Sequence, residues 1–273
     1  MNPIQTQLNR VFFLRHTIGI FDSGVGGLTI WRELFKLMPS VRTIYLGDGV
    51  NAPYGEKSPE AIIDLSRRNT RWLIDQGSTV IVVACNTATT NAISTLRSEF
   101  DLPFVGIEPA TKPAAVTTKT GVIGILATRG TFASELFINT SKDYRDKIEI
   151  IETVGTGLVD LIERGQLEEA RPLLKKYLLP MVDKNIDTLV LGCTHYPYLI
   201  DLINDILPKK ISIVEPSKAI AKRVQSLIAG ADLSDNSDIE NKFYTTANVD
   251  VMTRFLKNEG LENPDVQCLR FTA

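Results

Sequence analysis

Three observations predict an α/β fold with mainly parallel sheets. Short runs of β-branched and aliphatic residues recur along the 273-residue chain. The runs are apolar throughout rather than alternating, and each gives way to a turn and then to a segment of helical periodicity. Strands that are apolar on both faces are buried on both faces, which calls for parallel strands covered by helices. In chain order the strands are expected at 17–21, 42–46, 80–84, 104–107, 121–126, 148–151, 188–191 and 211–214. Between them, 28–37, 59–75, 88–99, 158–164, 167–182 and 218–229 carry apolar residues three or four apart and are expected as helices. Residues 1–16 read as an extension ahead of the fold. Its stretch Val11-Phe-Phe-Leu14 is broken at once by Arg15 and His16, too short for a membrane span and without a small-residue cleavage site.

Two sequence pairs suggest that the α/β pattern is used twice. Val80-Ile-Val-Val-Ala-Cys-Asn-Thr87 resembles Thr188-Leu-Val-Leu-Gly-Cys-Thr-His195, with the two cysteines 108 positions apart. Ile18-Gly-Ile-Phe-Asp-Ser-Gly24 is echoed 105 positions later by Ile123-Gly-Ile-Leu-Ala-Thr-Arg129. Nearly equal offsets predict two similar three-layer halves, each supplying a Ser/Thr loop and a strand-end cysteine. The first is expected to comprise 17–112 plus 222–273, and the second 113–221.

Composition narrows the function classes. Three cysteines (Cys85, Cys193, Cys268) and two histidines, with no CxxC or HExxH spacing, make no disulfide framework and no familiar zinc site. A reducing, cytoplasmic setting is the expectation. With 30 basic and 32 acidic residues and no Lys/Arg run, neither nucleic acid nor a membrane surface is an expected partner; a small ligand is.

Cys85 and Cys193 stand at strand–loop junctions, each before polar residues at the expected start of a helix. A helix N-terminus lowers a thiol's pKa and raises the thiolate fraction. Two thiols in matched contexts suit the transfer of a proton from one face of a carbon to the other: one abstracts, the opposite one delivers, and configuration inverts. His195, two residues after Cys193, is placed to hold or orient its proton. His16 has no such company. Cys268, in Val266-Gln-Cys-Leu269, reads as a structural residue.

Asp22-Ser-Gly-Val-Gly-Gly-Leu28 follows the first strand, where glycines let backbone N–H groups approach an anion at a helix N-terminus. The spacing is neither GxGxxG nor GxxxxGK[ST], yet Asp48 ends the second strand where a ribose-binding acid would lie, so a nucleotide-binding regulatory module stays open. Asn51-Ala-Pro-Tyr-Gly-Glu-Lys57 is a turn-forming stretch whose amides and Tyr54 hydroxyl are placed to take a carboxylate.

Together, Gly19-Ile-Phe-Asp-Ser-Gly-Val-Gly-Gly-Leu28, Pro53-Tyr-Gly55, Ala84-Cys-Asn-Thr-Ala88 and Leu191-Gly-Cys-Thr-His-Tyr-Pro197 closely resemble the aspartate/glutamate racemase family, and within it the glutamate racemases, over residues 18 to 230. The resemblance implies two α/β domains facing each other across an active-site cleft. It also implies an isomerase without cofactor or metal that interconverts L- and D-glutamate, supplying D-glutamate for peptidoglycan, cell wall and cell shape. A homodimer is a family-level expectation. By the same resemblance, Cys85 is the base toward D-glutamate and Cys193 the base toward L-glutamate, with Asp22 assisting Cys85 and His195 assisting Cys193. Asp22, Ser23, Tyr54, Gly55, Asn86, Thr87, Thr194 and His195 would bind the substrate. Thr128 and Thr131 match the family's Gly-Thr-x-Gly-Thr loop, with Ala127 in place of its first glycine, and Glu163 matches an acid near the histidine. Two further segments depart from the family pattern: Val154-Gly-Thr-Gly-Leu158 lacks its Cys-Pro, and Asp48-Gly-Val-Asn-Ala52 replaces its Asp-Thr-Ala-Arg-type run. Aspartate racemase is the alternative within the family, separated by pocket depth.

Overall fold

The computed structural model describes residues 16–229 and 240–271. The expected extension, 1–16, lies outside the described residues except for His16, whose Nδ1 is 3.0 Å from Thr79 Oγ1. Chain order runs β1 (Thr17–Asp22), α1 (Leu28–Leu37), β2 (Arg42–Gly47), α2 (Pro59–Asp75), β3 (Val80–Val83), α3 (Asn86–Glu99), β4 (Phe104–Gly106) and α4 (Thr111–Thr117). It continues through β5 (Val122–Ala127), α5 (Arg129–Phe132), α6 (Glu135–Arg145), β6 (Glu149–Val154), α7 (Leu158–Glu163), α8 (Arg171–Asp183), β7 (Thr188–Gly192) and α9 (Ile200–Ile206). Last come β8 (Ser212–Val214), α10 (Ser217–Leu227), β9 (Lys242–Thr245), α11 (Val249–Asn258) and β10 (Val266–Cys268).

The strands form two sheets, ordered β10-β9-β2-β1-β3-β4 and β6-β5-β7-β8, and every pairing is parallel. The repeat is visible in these orders, because β2-β1-β3-β4 in one sheet corresponds to β6-β5-β7-β8 in the other. The first sheet gains two more strands, β9 and β10, which the sequence reading left unassigned. Both are short, and β9 buries only alternate residues, so neither carries the continuous apolar run that marks the central strands. Helices α4, α5, α6, α9 and α11 are likewise additions to the expected set.

Apolar runs end where the sheets need them. All six residues of β1 are buried; Ile18 and Ile20 face a core that continues through Leu126, Leu158 and Leu191 of the second half, while Phe21 faces a separate core with Ile81 and Val83. One continuous apolar layer therefore joins the two halves. The chain leaves the first sheet between β4 and α4 and returns between β8 and α10, which packs on α1.

Helix starts follow local capping chemistry. Ser58 caps α2, its hydroxyl accepting the Ala61 N–H at 3.3 Å, with Pro59 in the first turn. Helix α3 begins at Asn86, two residues before the expected start, because the Cys85 sulfur takes the capping position and accepts the Ala88 N–H at 3.4 Å. Cys193 differs from the expectation: β7 leads through a turn into a 3₁₀ segment, Tyr196–Leu199, and α9 starts only at Ile200. Cys268 lies exposed on the edge strand β10.

Candidate active site

In an open parallel sheet, ligands gather at the carboxyl ends of strands where the winding reverses. Both sheets reverse beside their first strand, β1 between β2 and β3, and β5 between β6 and β7. The residues just past these ends are Asp22-Ser23 and Cys85 in the first sheet, Thr128 and Cys193 in the second. Ser23, Cys85, Thr128 and Cys193 meet at one small cavity of about 250 Å³, with Asp22 behind its wall.

Both thiols line this cavity. Cys85 is 5 % exposed and Cys193 7 %, so each reaches the cavity and little else. Each has its own relay. Cys85 Sγ donates to Ser23 Oγ at 3.7 Å, and Ser23 Oγ donates to Asp22 Oδ1 at 3.4 Å. Across the cavity, Cys193 Sγ lies 3.8 Å from His195 Nδ1, and His195 Nε2 lies 2.5 Å from Glu163 Oε1. Thr194 links the two sides, its hydroxyl donating to Asp22 Oδ2 at 3.4 Å.

The electrostatics of the two relays differ. Burial pushes the Cys85 thiol well above its ordinary range, and the nearby Asp22 charge adds to the rise; the Ala88 N–H pulls the other way and loses. The lowering expected from a helix N-terminus does not prevail, because desolvation in a dry pocket outweighs one amide donor. Burial also raises Asp22, against the attraction of His195 and the Gly27 N–H. At His195 burial opposes the charged form, but the hydrogen bonds to Cys193 and Glu163 and the charges of Asp22 and Glu163 together lift it well above the usual imidazole value. The cavity is thus flanked by a carboxylate–hydroxyl–thiol chain on one side and a carboxylate–imidazole–thiol chain on the other.

The glycine loop has a role different from an open anion cradle. Its amides do bind carboxylates, but the protein's own: the Gly27 N–H donates to Asp22 Oδ2 at 2.7 Å and the Val25 N–H to Glu163 Oε1 at 2.8 Å. Its glycines make room for the opposite half, since a Cβ at Gly24 would overlap the Glu163 carboxylate and one at Gly26 the His195 ring.

The remaining expected residues divide into lining and supporting positions. Ser23, Tyr54, Gly55, Asn86, Thr87, Thr128, Thr194 and His195 line the cavity. Asn86 is 2 % exposed, and among the described residues neither polar atom of its amide has a partner. An unpaired buried amide costs about 1–3 kcal/mol, so its retention at a cavity wall points to a ligand that completes it. Asp22 and Thr131 stand behind the wall. Thr131 is fully buried and closes a triangle of hydroxyls, Thr87 to Thr128 at 2.7 Å, Thr128 to Thr131 at 2.9 Å and Thr87 to Thr131 at 3.4 Å.

Tyr54 lines the cavity, but its hydroxyl is committed: it donates to Asp48 Oδ2 at 2.6 Å and accepts from Asn69 at 3.1 Å. Asp48 is fully buried and also takes Arg68 at 2.7 Å, Asn51 at 3.0 Å and the Thr246 hydroxyl at 3.0 Å. Both carboxylate oxygens are occupied, which leaves nothing for a ribose. Pro53 and Val159 complete the lining. Pro53 lay within the quoted Pro-Tyr-Gly motif; Val159 carried no signal beyond helical periodicity. Among the described residues no group of three or more His, Cys, Asp or Glu side chains is disposed to hold a metal.

A family model described as Asp/Glu/Hydantoin racemase matches residues 30–224. Glutamate racemase of Ralstonia pickettii (strain 12J) is 44 % identical over 218 residues, 79 % of this chain and 77 % of its own. That of Herpetosiphon aurantiacus is 45 % identical over 218 residues, 79 % of this chain and 86 % of its own. Among solved structures, Escherichia coli glutamate racemase in complex with L-glutamate and the activator UDP-MurNAc-ala superposes with a TM-score of 0.81 at 32 % identity, over 93 % of this chain and 98 % of that one. The RacE1 isoform from Bacillus anthracis gives 0.82 at 28 %, over 93 % and 97 %. Picrophilus torridus aspartate racemase, at 17 % identity and a TM-score of 0.55 over 78 % of this chain and 94 % of that one, shares the fold.

Proposed function

The chain belongs to the Asp/Glu/hydantoin racemase family, and on that premise we propose that it interconverts L- and D-glutamate with two thiols and no cofactor. The observation that carries this reading is the pair of thiols at one closed cavity, each backed by its own acid–base relay. Relatives at 44–45 % identity that are glutamate racemases support the substrate.

The α-proton of an amino acid is barely acidic, so the reaction needs a base on one face, an acid on the other, and preorganised donors around the developing carbanion. With one enantiomer bound, Cys85 gives up its proton, takes the α-proton as thiolate, and Cys193 delivers a proton to the opposite face. With the other enantiomer the roles exchange. Ser23 and Asp22 supply the acceptor for the Cys85 proton, while His195, held by Glu163, supplies and recovers the proton at Cys193. Asn86, the threonine hydroxyls and the backbone at Gly55 bind the carboxylates and ammonium. Exclusion of water by the closed cavity strengthens every one of these interactions. The D-glutamate formed would serve peptidoglycan and thereby cell wall and cell shape, in a cytoplasmic enzyme that works as a homodimer.

The test is turnover by purified protein with no added cofactor, followed by circular dichroism on both enantiomers of glutamate and of aspartate. Racemisation of glutamate with aspartate slower is expected; no turnover of glutamate would reject the reading. Cys85→Ser and Cys193→Ser should each lose racemisation by at least about 10²-fold, the lower range of a positioned acid–base group. Each should spare proton exchange or elimination from opposite enantiomers of suitable analogues. Racemisation by either variant at the parent rate would exclude the two-base mechanism.

A further inference from the structure

The cavity that holds both thiols is small, and on the side of Thr128 it adjoins a second pocket. That pocket, of about 420 Å³, shares Pro53, Gly55, Thr128 and Val159 with the cavity and is not lined by either thiol. Its charged lining is Glu56, Asp160 and Arg129, all exposed. Among the described residues Arg129 makes no salt bridge and no side-chain hydrogen bond, although it follows directly on Thr128 of the catalytic wall. The two carboxylates leave this mouth net negative, and the proposed substrate carries two carboxylates against one ammonium. A net anionic substrate entering there meets repulsion that the Arg129 guanidinium offsets, and a guanidinium matches a carboxylate with two parallel N–H donors.

We propose that this pocket is the passage by which substrate reaches the thiols and that Arg129 is its receiving group, engaging a carboxylate of the incoming amino acid before it passes Thr128. The proposal rests on the glutamate racemase reading of the same site. Arg129 does not line the cavity with the thiols, so it acts on entry and binding rather than on proton transfer. Long-range attraction of this kind raises association rates and fades as salt screens it, with a Debye length of about 10 Å at 0.1 M.

The experiment compares kcat/KM for both enantiomers at low and high ionic strength in the parent, Arg129→Glu, Arg129→Gln and Arg129→Lys. Lys175→Glu, on an exposed face of α8, is the control for the same change in net charge. Arg129→Glu should lose about tenfold or more in kcat/KM at low salt, carried by KM, with the gap narrowing at high salt. Arg129→Gln should fall between, Arg129→Lys should recover part of the loss, and Lys175→Glu should match the parent. If the parent racemises and Arg129→Glu keeps its low-salt kcat/KM, or if Lys175→Glu falls equally, the assignment of Arg129 is overturned while the racemase reading stands. If the parent does not racemise, the reading itself has failed.

Discussion

Asp22 illustrates how single residues here trade stability for chemistry. Its carboxyl is fully buried, and burial raises its pKa above the ordinary aspartate value. A folded-state value above the unfolded one means that folding becomes less favourable as pH rises from the unfolded carboxylate range through the folded value. Asp22→Asn removes that cost and retains an acceptor for the Gly27 N–H. The variant should be more stable than the parent at neutral pH by about 0.5–2 kcal/mol, the range of substitutions that relieve a functional site. The gain should shrink below pH 4, and racemisation should fall sharply; urea denaturation across pH together with turnover checks both. His195 has the opposite sign. Its value is raised in the fold, so its charged hydrogen bonds contribute stability that is fully present below the ordinary imidazole range and lost as pH rises through the folded value. The stability cost of His195→Gln should therefore be larger at pH 6 than at high pH. At this scale the sequence motifs named nearly every lining side chain, because cysteine, histidine and amide positions are chemically distinctive. What they left unread was commitment: Tyr54 spends its hydroxyl on Asp48, and Cys85 caps α3 yet is not made acidic by it.

At the scale of elements, the two halves show how one departure from the family pattern is fitted. Ala127 ends β5 where the family loop begins with glycine, and its methyl group packs against Gly192 at the end of β7. A Cβ at Gly192 would approach the Ala127 Cβ to 2.8 Å with buried backbone behind it. Gly192→Ala should therefore cost about 1–3 kcal/mol, the usual penalty of overpacking. Ala127→Gly in the same chain should recover much of it, because residues in contact couple. Denaturant midpoints of the two single variants and the double variant measure the coupling. The central strands were legible because each is a continuous apolar run. Strands β9 and β10 and helix α11 were not, since a four-residue strand with alternate burial looks like many surface segments until its partner β2 is known.

For the whole molecule the decisive contact is Glu163. It sits at the end of α7 in the second half, accepts the Val25 N–H from the loop after β1 in the first, and holds His195 on the same oxygen. One carboxylate oxygen thus fastens the halves together and orients His195 beside Cys193. Glu163→Gln keeps an acceptor for Val25 but loses the charge that holds imidazolium. It should lower kcat with a smaller change in KM, and should cost about 1.5–3 kcal/mol of stability, as for hydrogen bonds to charged groups. A rate loss without a stability loss would show that the fastening and the chemistry are separable.

The sheet order also has a consequence for how the protein is made. Strand β9 completes the first sheet against β2, and the Thr246 hydroxyl just after it accepts from the Val50 N–H and donates to Asp48, in the loop that carries Tyr54. On the ribosome β2 ends at Gly47 and β9 begins only at Lys242, so at about 5–20 residues per second the Tyr54 loop waits roughly 10–40 s for its last support. A nascent chain carries both thiols and every lining residue before Thr246 reaches Asp48. Nonsense products that stop short of β9 would hold every motif and still lack the Thr246 hydrogen bonds to Asp48 and Val50.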